Sequence, residues 1–295
     1  MTFPTVSGLQ GPVGLVGVGL IGGSIGLDLR ARGMEVRALV HRRASAARVI
    51  ERGLADQVSS DPELLSECRL VVLALPLDRL LDPPARLLNA LPGDAVITDV
   101  GSVKAPVLEC WQPLHPRFVA GHPMAGTSRS GVEAGVAGLF VDRPWVATPA
   151  PSTDPEALEQ VRRLAQSLGA HWLCCSAEEH DRAVALISHL PVLVSAALLL
   201  AVGRGAEAAR LEGAPELPQL VRALASSGFA DTSRVGGGNP ELGHLMARCN
   251  QQALLEALVH YREALELLEQ TVRTGQWAAL RSELETSEQL RREFV

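Results

Sequence analysis

A glycine-rich turn near the beginning of the chain constrains the fold more than any other feature. Residues 13–18 form a short apolar run, and a helical pattern follows at residues 20–32. The sequence GVGLIG between them has the spacing G-x-G-x-x-G. At a strand-to-helix turn, this spacing is typical of a dinucleotide-binding βαβ unit, where the helix N-terminus faces the pyrophosphate. The predicted cofactor-binding residues of the turn are Gly17, Gly19, Leu20, Ile21 and Gly22.

The turn opens a stretch in which strands and helices alternate. Apolar runs lie at residues 35–40, 70–75 and 95–100, and the run LVVLAL at residues 70–75 is apolar on both faces. Such a strand is typical of a parallel sheet that helices cover on both sides. Further strands are predicted at residues 117–120, 143–148 and 171–175. We therefore predict an α/β fold with an N-terminal Rossmann-like doubly wound sheet.

The remainder of the chain has helical patterns and no strand pattern. Glu178 and Glu179 follow Ser176 in the arrangement of a helix N-terminus. We therefore predict a dinucleotide-binding domain at residues 1–176 and an all-helical substrate and dimerisation domain at residues 177–295.

Two segments of the helical part carry further expectations. The apolar run at residues 192–202 is about half as long as a bilayer requires, so we predict no membrane span. It should form a helix that is enclosed within the domain or at a subunit interface. Residues 203–217 are rich in Gly, Ala, Glu and Pro, and we expect a surface connection between helices there.

The end of the second predicted strand indicates which dinucleotide is bound. NAD-binding sites place an acidic residue there for the ribose 2′-hydroxyl. This chain instead reads VHRRAS and has no carboxylate. The predicted 2′-phosphate ligands are His41, Arg42, Arg43 and Ser45, which favours NADP. The alternative is a solvated basic turn that begins the next helix.

Composition excludes several other classes of protein. Apolar residues make up 47% of the chain, which excludes a disordered protein. The net charge of −6 gives no general attraction to nucleic acid or anionic membranes. The five cysteines include no CxxC pair, so we predict neither a metal site nor a disulfide framework. The N-terminus has no signal-peptide pattern, and we predict a cytoplasmic protein.

Polar residues follow two of the predicted strands, at the edge where open α/β sheets bind ligands. The motif DVGSVK contains Ser102 and Lys104, the only lysine of the chain. We expect Lys104 to lend positive charge near the nicotinamide or the substrate. The motif GHPMAGT places His122 in a predicted loop beside the nucleotide. Its near-neutral intrinsic pKa suits proton transfer.

The helical part contains two further candidate sites. His189 belongs to the motif SHLP, which precedes the apolar helix. Arg234 belongs to the motif DTSR and could bind a carboxylate through two hydrogen bonds. The alternative for Arg234 is a helix cap or an ion pair with Asp231.

Five motifs occur in the order GVGLIGGS, DVGSVK, GHPMAGT, SHLP and DTSR. Together they resemble the prephenate/arogenate dehydrogenase family. The stretch SSGFADTSRVGGGNPELG is most similar to the cyanobacterial and plant-type arogenate dehydrogenases. The resemblance runs from about residue 13 to the last predicted helix.

This resemblance implies a reaction, a cofactor class and a homodimer through the C-terminal helices. The C4 hydroxyl of a cyclohexadienol is oxidised with NAD or NADP, and the ring carboxylate leaves as carbon dioxide. His122 would take the hydroxyl proton as hydride leaves C4, and Ser102 would hold the same hydroxyl. Arg234 would bind the ring carboxylate, and His189 would begin the helical wall of the pocket.

Two positions bear on the choice of substrate. The resemblance suggests that prephenate-preferring members carry a second histidine directly after SHLP, where this chain has Val192. Ser128 stands where those members often carry an acid. We therefore predict that Val192 lines a pocket for L-arogenate, which an NADP-dependent reaction would convert to L-tyrosine. The alternative substrate is prephenate, which would give 4-hydroxyphenylpyruvate.

Two other functions stay open. A β-hydroxyacid dehydrogenase or imine reductase also joins a Rossmann domain to a helical domain, but it would need a lysine or another acid–base group on the helices. A regulatory protein that binds NADP without catalysis would not need Ser102 and His122.

Overall fold

A six-stranded parallel sheet forms the centre of the N-terminal domain. The computed structural model describes residue 9 and residues 11–127 and 129–294. The strands are β1 (Val13–Val16), β2 (Val36–Leu39), β3 (Gln57–Ser59), β4 (Leu70–Leu73), β5 (Val96–Asp99) and β6 (Phe118–Val119). Their spatial order is β3-β2-β1-β4-β5-β6, the doubly wound order of dinucleotide-binding domains. The predicted fold class is therefore confirmed.

Helices cover both faces of this sheet. They are α1 (Leu20–Arg30), α2 (Ala46–Glu51), α3 (Leu77–Leu81), α4 (Ala85–Ala90), α5 (Ala105–Trp111) and α6 (Pro155–Ser167). Two apolar clusters result, one on each side of the sheet. Leu15 and Ile25 belong to one cluster, and Leu73 and Trp111 belong to the other. The first cluster is built from residues of the sheet domain alone, whereas Leu245 of the helical part joins the second cluster.

A second, three-stranded sheet follows directly after β6. It consists of β7 (Gly121–Pro123), β8 (Pro144–Ala147) and β9 (His171–Cys174), in that order. β7 runs antiparallel to β8 and pairs His122 with Val146. The expectation that His122 lies in a loop was wrong, because the backbone continues through only one residue from β6 into a new strand. Proline at the end of β7 masked this strand pattern.

Helices form the rest of the described chain. They are α7 (Ala177–Val184), α8 (Leu190–Leu211), α9 (Leu217–Leu224), α10 (Ser227–Ser233), α11 (Pro240–Cys249), α12 (Gln251–Arg273) and α13 (Trp277–Phe294). Ser176 and Glu179 form a capping box at the start of α7. From α7 onward, the described chain contains no strand. A π-helical turn, Ala185–His189, joins α7 to α8.

One expectation about α8 was wrong, and a second is answered only in part. The helix continues to Leu211, so residues 203–211 are helical and not a surface connection. Ala and Arg, which favour helices, outweigh the two glycines in this segment. The apolar run was expected to be enclosed within the domain or at a subunit interface. Its own chain does not enclose the helix, of which only Ser195 is buried, and the interface stays a prediction. By length and composition alone, the continuous helix Ala177–Leu211 could cross a membrane, although the apolar run within it is short.

Candidate active site

The glycine-rich turn has the geometry of a dinucleotide cradle. Gly17 adopts φ of 95°, and a Cβ there would collide with the carbonyl oxygen of Ala74. A Cβ on Gly22 would collide with the carbonyl oxygen of Gly17, so α1 packs closely on the turn. No atom lies within 4 Å of the Cβ position of Gly19, which leaves the backbone open to a ligand. Leu20 and Ile21 begin α1, so the turn fits a pyrophosphate at the helix N-terminus.

The turn after β2 presents basic side chains to solvent. His41, Arg42 and Arg43 are exposed, and no ion pair joins them to another described residue. Ser45 is half-buried and donates its backbone N–H to the carbonyl of Arg42. The arrangement leaves these cationic groups available to an anion.

A buried ion pair holds the strand that carries His122. Lys104 and Asp99 are both fully buried, and the Lys104 ammonium contacts the Asp99 carboxylate directly. The same ammonium donates to the carbonyl of Gly121 at 2.7 Å, and Asp99 Oδ1 accepts the Gly121 N–H at 3.0 Å. The pair therefore bonds to both backbone groups of the residue before His122.

Lys104 was expected to lend positive charge near the nicotinamide or the substrate, and as a substrate-binding residue it is corrected by this placement. Its ammonium is enclosed and bonded inside the protein, so it cannot reach a bound ligand directly. Burial lowers the pKa of Lys104, while the charge of Asp99 opposes that shift. Lys104 is placed as an internal counter-ion that positions β7.

His122 begins a chain of hydrogen-bonded side chains. Its Nδ1 lies 2.9 Å from Nε2 of His180, and Nδ1 of His180 lies 2.8 Å from Oδ1 of Asp181. His122 is half-buried, whereas His180 and Asp181 are buried. Burial lowers the pKa of His122 well below its ordinary value, and the charges of His180, Lys104 and His189 lower it further. A neutral imidazole at pH 7 can accept a proton.

Ser102 and His189 each have one buried polar atom without a hydrogen-bond partner among the described residues. Ser102 Oγ is buried and accepts or donates no hydrogen bond among the described residues. His189 is buried, and its Nδ1 lies 3.2 Å from the Asn250 amide nitrogen. Nδ1 therefore accepts, and Nε2 carries a proton that has no acceptor. Both atoms suit a polar ligand, because buried polar groups are normally hydrogen-bonded.

The remaining candidates lie on the helical domain and are less enclosed. Val192 is half-buried on the first turn of α8 and faces the backbone of Gly243, whose Cβ position lies 3.6 Å from Val192 Cγ1. Arg234 is the exposed C-cap residue of α10, and among the described residues its side chain bonds neither to a helix carbonyl nor to Asp231. Within one chain, no hydrogen bond joins Arg234 to His122 or His189. Ser128 lies outside the described residues.

Sequence reasoning missed Asp99, His180, Asp181 and Asn250. His180 and Asp181 follow the helix start predicted from Ser176, Glu178 and Glu179, and nothing in that pattern showed which side chains turn inward. Asn250 is far along the chain, yet its amide donates to the Asp181 carbonyl at 2.7 Å. Among the residues that the structure describes, no three His, Cys, Asp or Glu side chains are grouped to hold a metal ion.

Fold and site together define a nucleotide-binding protein with a helical second part, in which a half-buried histidine is hydrogen-bonded to a second histidine. Family models give this class a name. The model described as the nucleotide-binding domain of prephenate dehydrogenase matches residues 25–174, and the model of its dimerization domain matches residues 176–286.

Individual proteins agree with the family models. Arogenate dehydrogenase of Synechocystis is 40% identical, with a TM-score of 0.79, over 96% of this chain and 100% of its own. The prephenate dehydrogenase from Aquifex aeolicus, solved with hydroxyphenyl propionate and NAD+, is 27% identical with a TM-score of 0.87, over 98% of this chain and 100% of its own.

Two curated relatives differ in how much of their length is matched. Cyclohexadienyl dehydrogenase of Zymomonas mobilis is 31% identical over 87% of this chain and 86% of its own length. Prephenate dehydrogenase of Bacillus subtilis is 31% identical over 82% of this chain, which spans only 65% of the Bacillus protein. The chain belongs to the prephenate dehydrogenase family of oxidoreductases.

Proposed function

We propose that this protein catalyses the NADP-dependent oxidative decarboxylation of L-arogenate to L-tyrosine. The observation that carries the proposal is the half-buried His122, which is anchored through Nδ1 to His180. The buried hydroxyl of Ser102 has no hydrogen-bond partner among the described residues and is the second group of the proposed site. These are the two groups that the oxidation of a secondary alcohol requires. One orients the hydroxyl, and the other takes its proton.

Within this reaction, each group has a distinct task. A bound nicotinamide would accept the hydride from C4 of the substrate. Ser102 holds the C4 hydroxyl, and His122 removes its proton. His122 is ready for this because its lowered pKa keeps the ring neutral. Formation of the aromatic ring drives loss of the carboxylate, and Arg234 binds that carboxylate before it leaves.

The preference for NADP follows from the turn after β2. His41, Arg42 and Arg43 are exposed and free of ion pairs with described residues, and no carboxylate stands among them. An acidic residue at this point would repel a 2′-phosphate, whereas these cations would bind it. Ser45 adds a hydroxyl donor at the start of α2.

The preference for arogenate depends on Val192. It lies near the buried His189, whose free Nε2–H is suited to an acceptor on the substrate. A valine there offers no hydrogen bond to the keto acid of prephenate. The 40% identity to an arogenate dehydrogenase supports this choice. Prephenate is the second candidate, because the Bacillus relative is named for that substrate.

Assembly and location complete the proposal. The helical domain would pair with that of a second copy and form a homodimer, with large apolar side chains such as Leu200 and Leu224 in contact with the partner. This pairing accounts for the apolar character of α8 without a membrane. The protein would act in the cytoplasm, with a small-molecule substrate and no nucleic acid as partner.

The decisive experiment measures reduction of NAD and NADP with arogenate and with prephenate. We expect the highest kcat/KM for arogenate with NADP, and Val192→His should raise prephenate use. Val192→Leu is the control, because it changes size without adding a donor. Efficient prephenate turnover by the parent protein would reject the substrate assignment. No turnover with either substrate, despite nucleotide binding, would instead indicate a non-catalytic nucleotide-binding protein.

A further inference from the structure

We propose that His180 is a positioning residue for the base: by accepting the Nδ1–H of His122, it fixes the tautomer whose Nε2 lone pair is free for the substrate hydroxyl. The effect on rate rests on the proposed function. The tautomer of His122 can be measured without substrate, so the positioning role of His180 and the proposed function can be rejected separately.

The argument begins at Asp181, whose two oxygens are held by fixed donors. Oδ1 accepts the backbone N–H of Lys104 at 2.7 Å, and Oδ2 accepts that of Ala105 at 2.8 Å. Backbone N–H groups only donate, so both oxygens of the buried carboxylate act as acceptors. His180 Nδ1, at 2.8 Å from Oδ1, therefore carries a proton and donates it to Asp181.

The state of His180 then decides the state of His122. With its proton on Nδ1, neutral His180 has only a lone pair on Nε2. That lone pair lies 2.9 Å from His122 Nδ1, which must be the donor. The two rings meet at 70° with centroids 5.1 Å apart, so their nitrogens face each other and the rings do not stack. The proton of neutral His122 is therefore on Nδ1, and Nε2 is free.

Three elements hold this chain of hydrogen bonds in place. α5 supplies the two N–H groups on Asp181, and α7 carries both His180 and Asp181. Asn250, between α11 and α12, donates to the Asp181 carbonyl at 2.7 Å. Since the anchors come from separate parts of the fold, His180 cannot turn without breaking several bonds. The preferred tautomer of His122 is thus built into the tertiary structure.

The surroundings of His122 also keep its ring neutral before the proton is transferred. The groups that face it are His180, Lys104 and His189, with Asp181 behind His180. Burial and these neighbours all oppose a charged His122, so its ring stays neutral and keeps the Nε2 lone pair.

Nitrogen NMR of protein labelled with ¹⁵N-histidine tests the tautomer directly. The His122 signals are assigned by their absence in His122→Asn. In the parent, we expect a protonated Nδ1 and an unprotonated Nε2 at neutral pH. His180→Phe removes the acceptor and should give a mixture of both tautomers, while His180→Gln keeps an acceptor oxygen and should retain the parent pattern. An unprotonated Nδ1 in the parent, or an unchanged tautomer in His180→Phe, would overturn the proposal.

Kinetics provide the second readout, with His171→Phe as the matched control. His171 also faces an aspartate, Asp142, but lies exposed on β9, away from the site. We expect His180→Phe to lower kcat by about 10²-fold, within the range of general base catalysis, with little change in KM. His180→Gln should recover part of this loss, and His171→Phe should match the parent. An unchanged kcat in a folded His180→Phe protein would remove the positioning role.

Discussion

The sheet domain and the helical domain differ in how they bury their side chains. In the sheet domain, charged groups such as Asp99 and Lys104 are fully buried and bonded to one another. In the helical domain, large apolar side chains remain exposed, including Leu211 at 73% and Trp277 at 63%. Apolar surface of this extent is typical of an interface.

This difference shows which part of the candidate site is complete within a single chain. His122 and its hydrogen-bonded neighbours are fully positioned within the chain. Arg234, in contrast, is exposed and without a partner among the described residues. We therefore expect changes near His122 to act alone, whereas the function of Arg234 should depend on assembly.

The largest expected effect is on turnover. His122→Asn removes the base, and we expect kcat to fall by about 10²- to 10⁴-fold, the usual contribution of a general base. Substrate and nucleotide affinity should change little, because proton removal matters only in the transition state. Steady-state kinetics and nucleotide titration measure both quantities. Near-normal turnover would mean that another residue is the base.

Next in size is the loss of the buried ion pair. Lys104→Met leaves the Asp99 carboxylate buried without its counter-ion, and removing one partner of such a pair costs about 3–5 kcal/mol. Denaturant unfolding measures this free energy. Arg281→Met is the control, because Arg281 pairs with Glu285 on the surface. Equal losses in the two variants would contradict the contrast between buried and exposed charges.

The third effect is a pH dependence of stability. Burial lowers the pKa of His189 to about 4, although the charge of Asp181 opposes the shift. The unfolded chain binds this proton more readily, so stability should fall as the pH drops from about 6.5 to 4. The free energy of unfolding, measured across this window, should depend less on pH in His189→Asn, by up to about 3 kcal/mol. A slope equal to that of the parent would show that other groups cause the acid sensitivity.

A smaller effect is expected in the helical domain. Arg234→Ala should raise KM for the substrate by about 10- to 100-fold, because a charge-assisted hydrogen bond contributes about 1.5–3 kcal/mol. Arg204→Ala, at another exposed arginine of the helices, serves as the control. If dilution to monomers weakens substrate binding in the parent protein, the function of Arg234 depends on assembly, as the comparison of the two domains predicts. A constant KM in Arg234→Ala would place the carboxylate at a different residue.

The smallest effect concerns the nucleotide. Arg42→Ala removes one exposed cation, and we expect it to raise KM for NADP by about 10-fold, with KM for NAD nearly unchanged. Arg79→Ala is a surface control outside the turn. If the parent uses both nucleotides equally well, the basic turn does not select between them.

The sequence alone predicted the sheet domain well. The glycine spacing and the strands that are apolar on both faces are local signals, because each depends only on residues that are close in the sequence. The strands β3 and β7 were missed, because three-residue segments carry too little periodicity to be distinguished from loops. The surface connection predicted at residues 203–217 was wrong in its first part, because the helix continues to Leu211. Glycine lowers helix propensity but does not decide where a long helix ends.

The candidate site likewise contains residues that sequence motifs indicated and pairings that only the structure revealed. Sequence motifs selected Ser102, His122 and His189, because each stands in a short pattern at a strand or helix end. Only the tertiary structure showed that Lys104 faces inward to Asp99 and that His122 rests on His180. These pairings join residues 5 and 58 positions apart in the chain. Chain order fixes which groups are available, but the direction of a buried side chain is decided by packing and by the need to satisfy every buried charge and hydrogen bond.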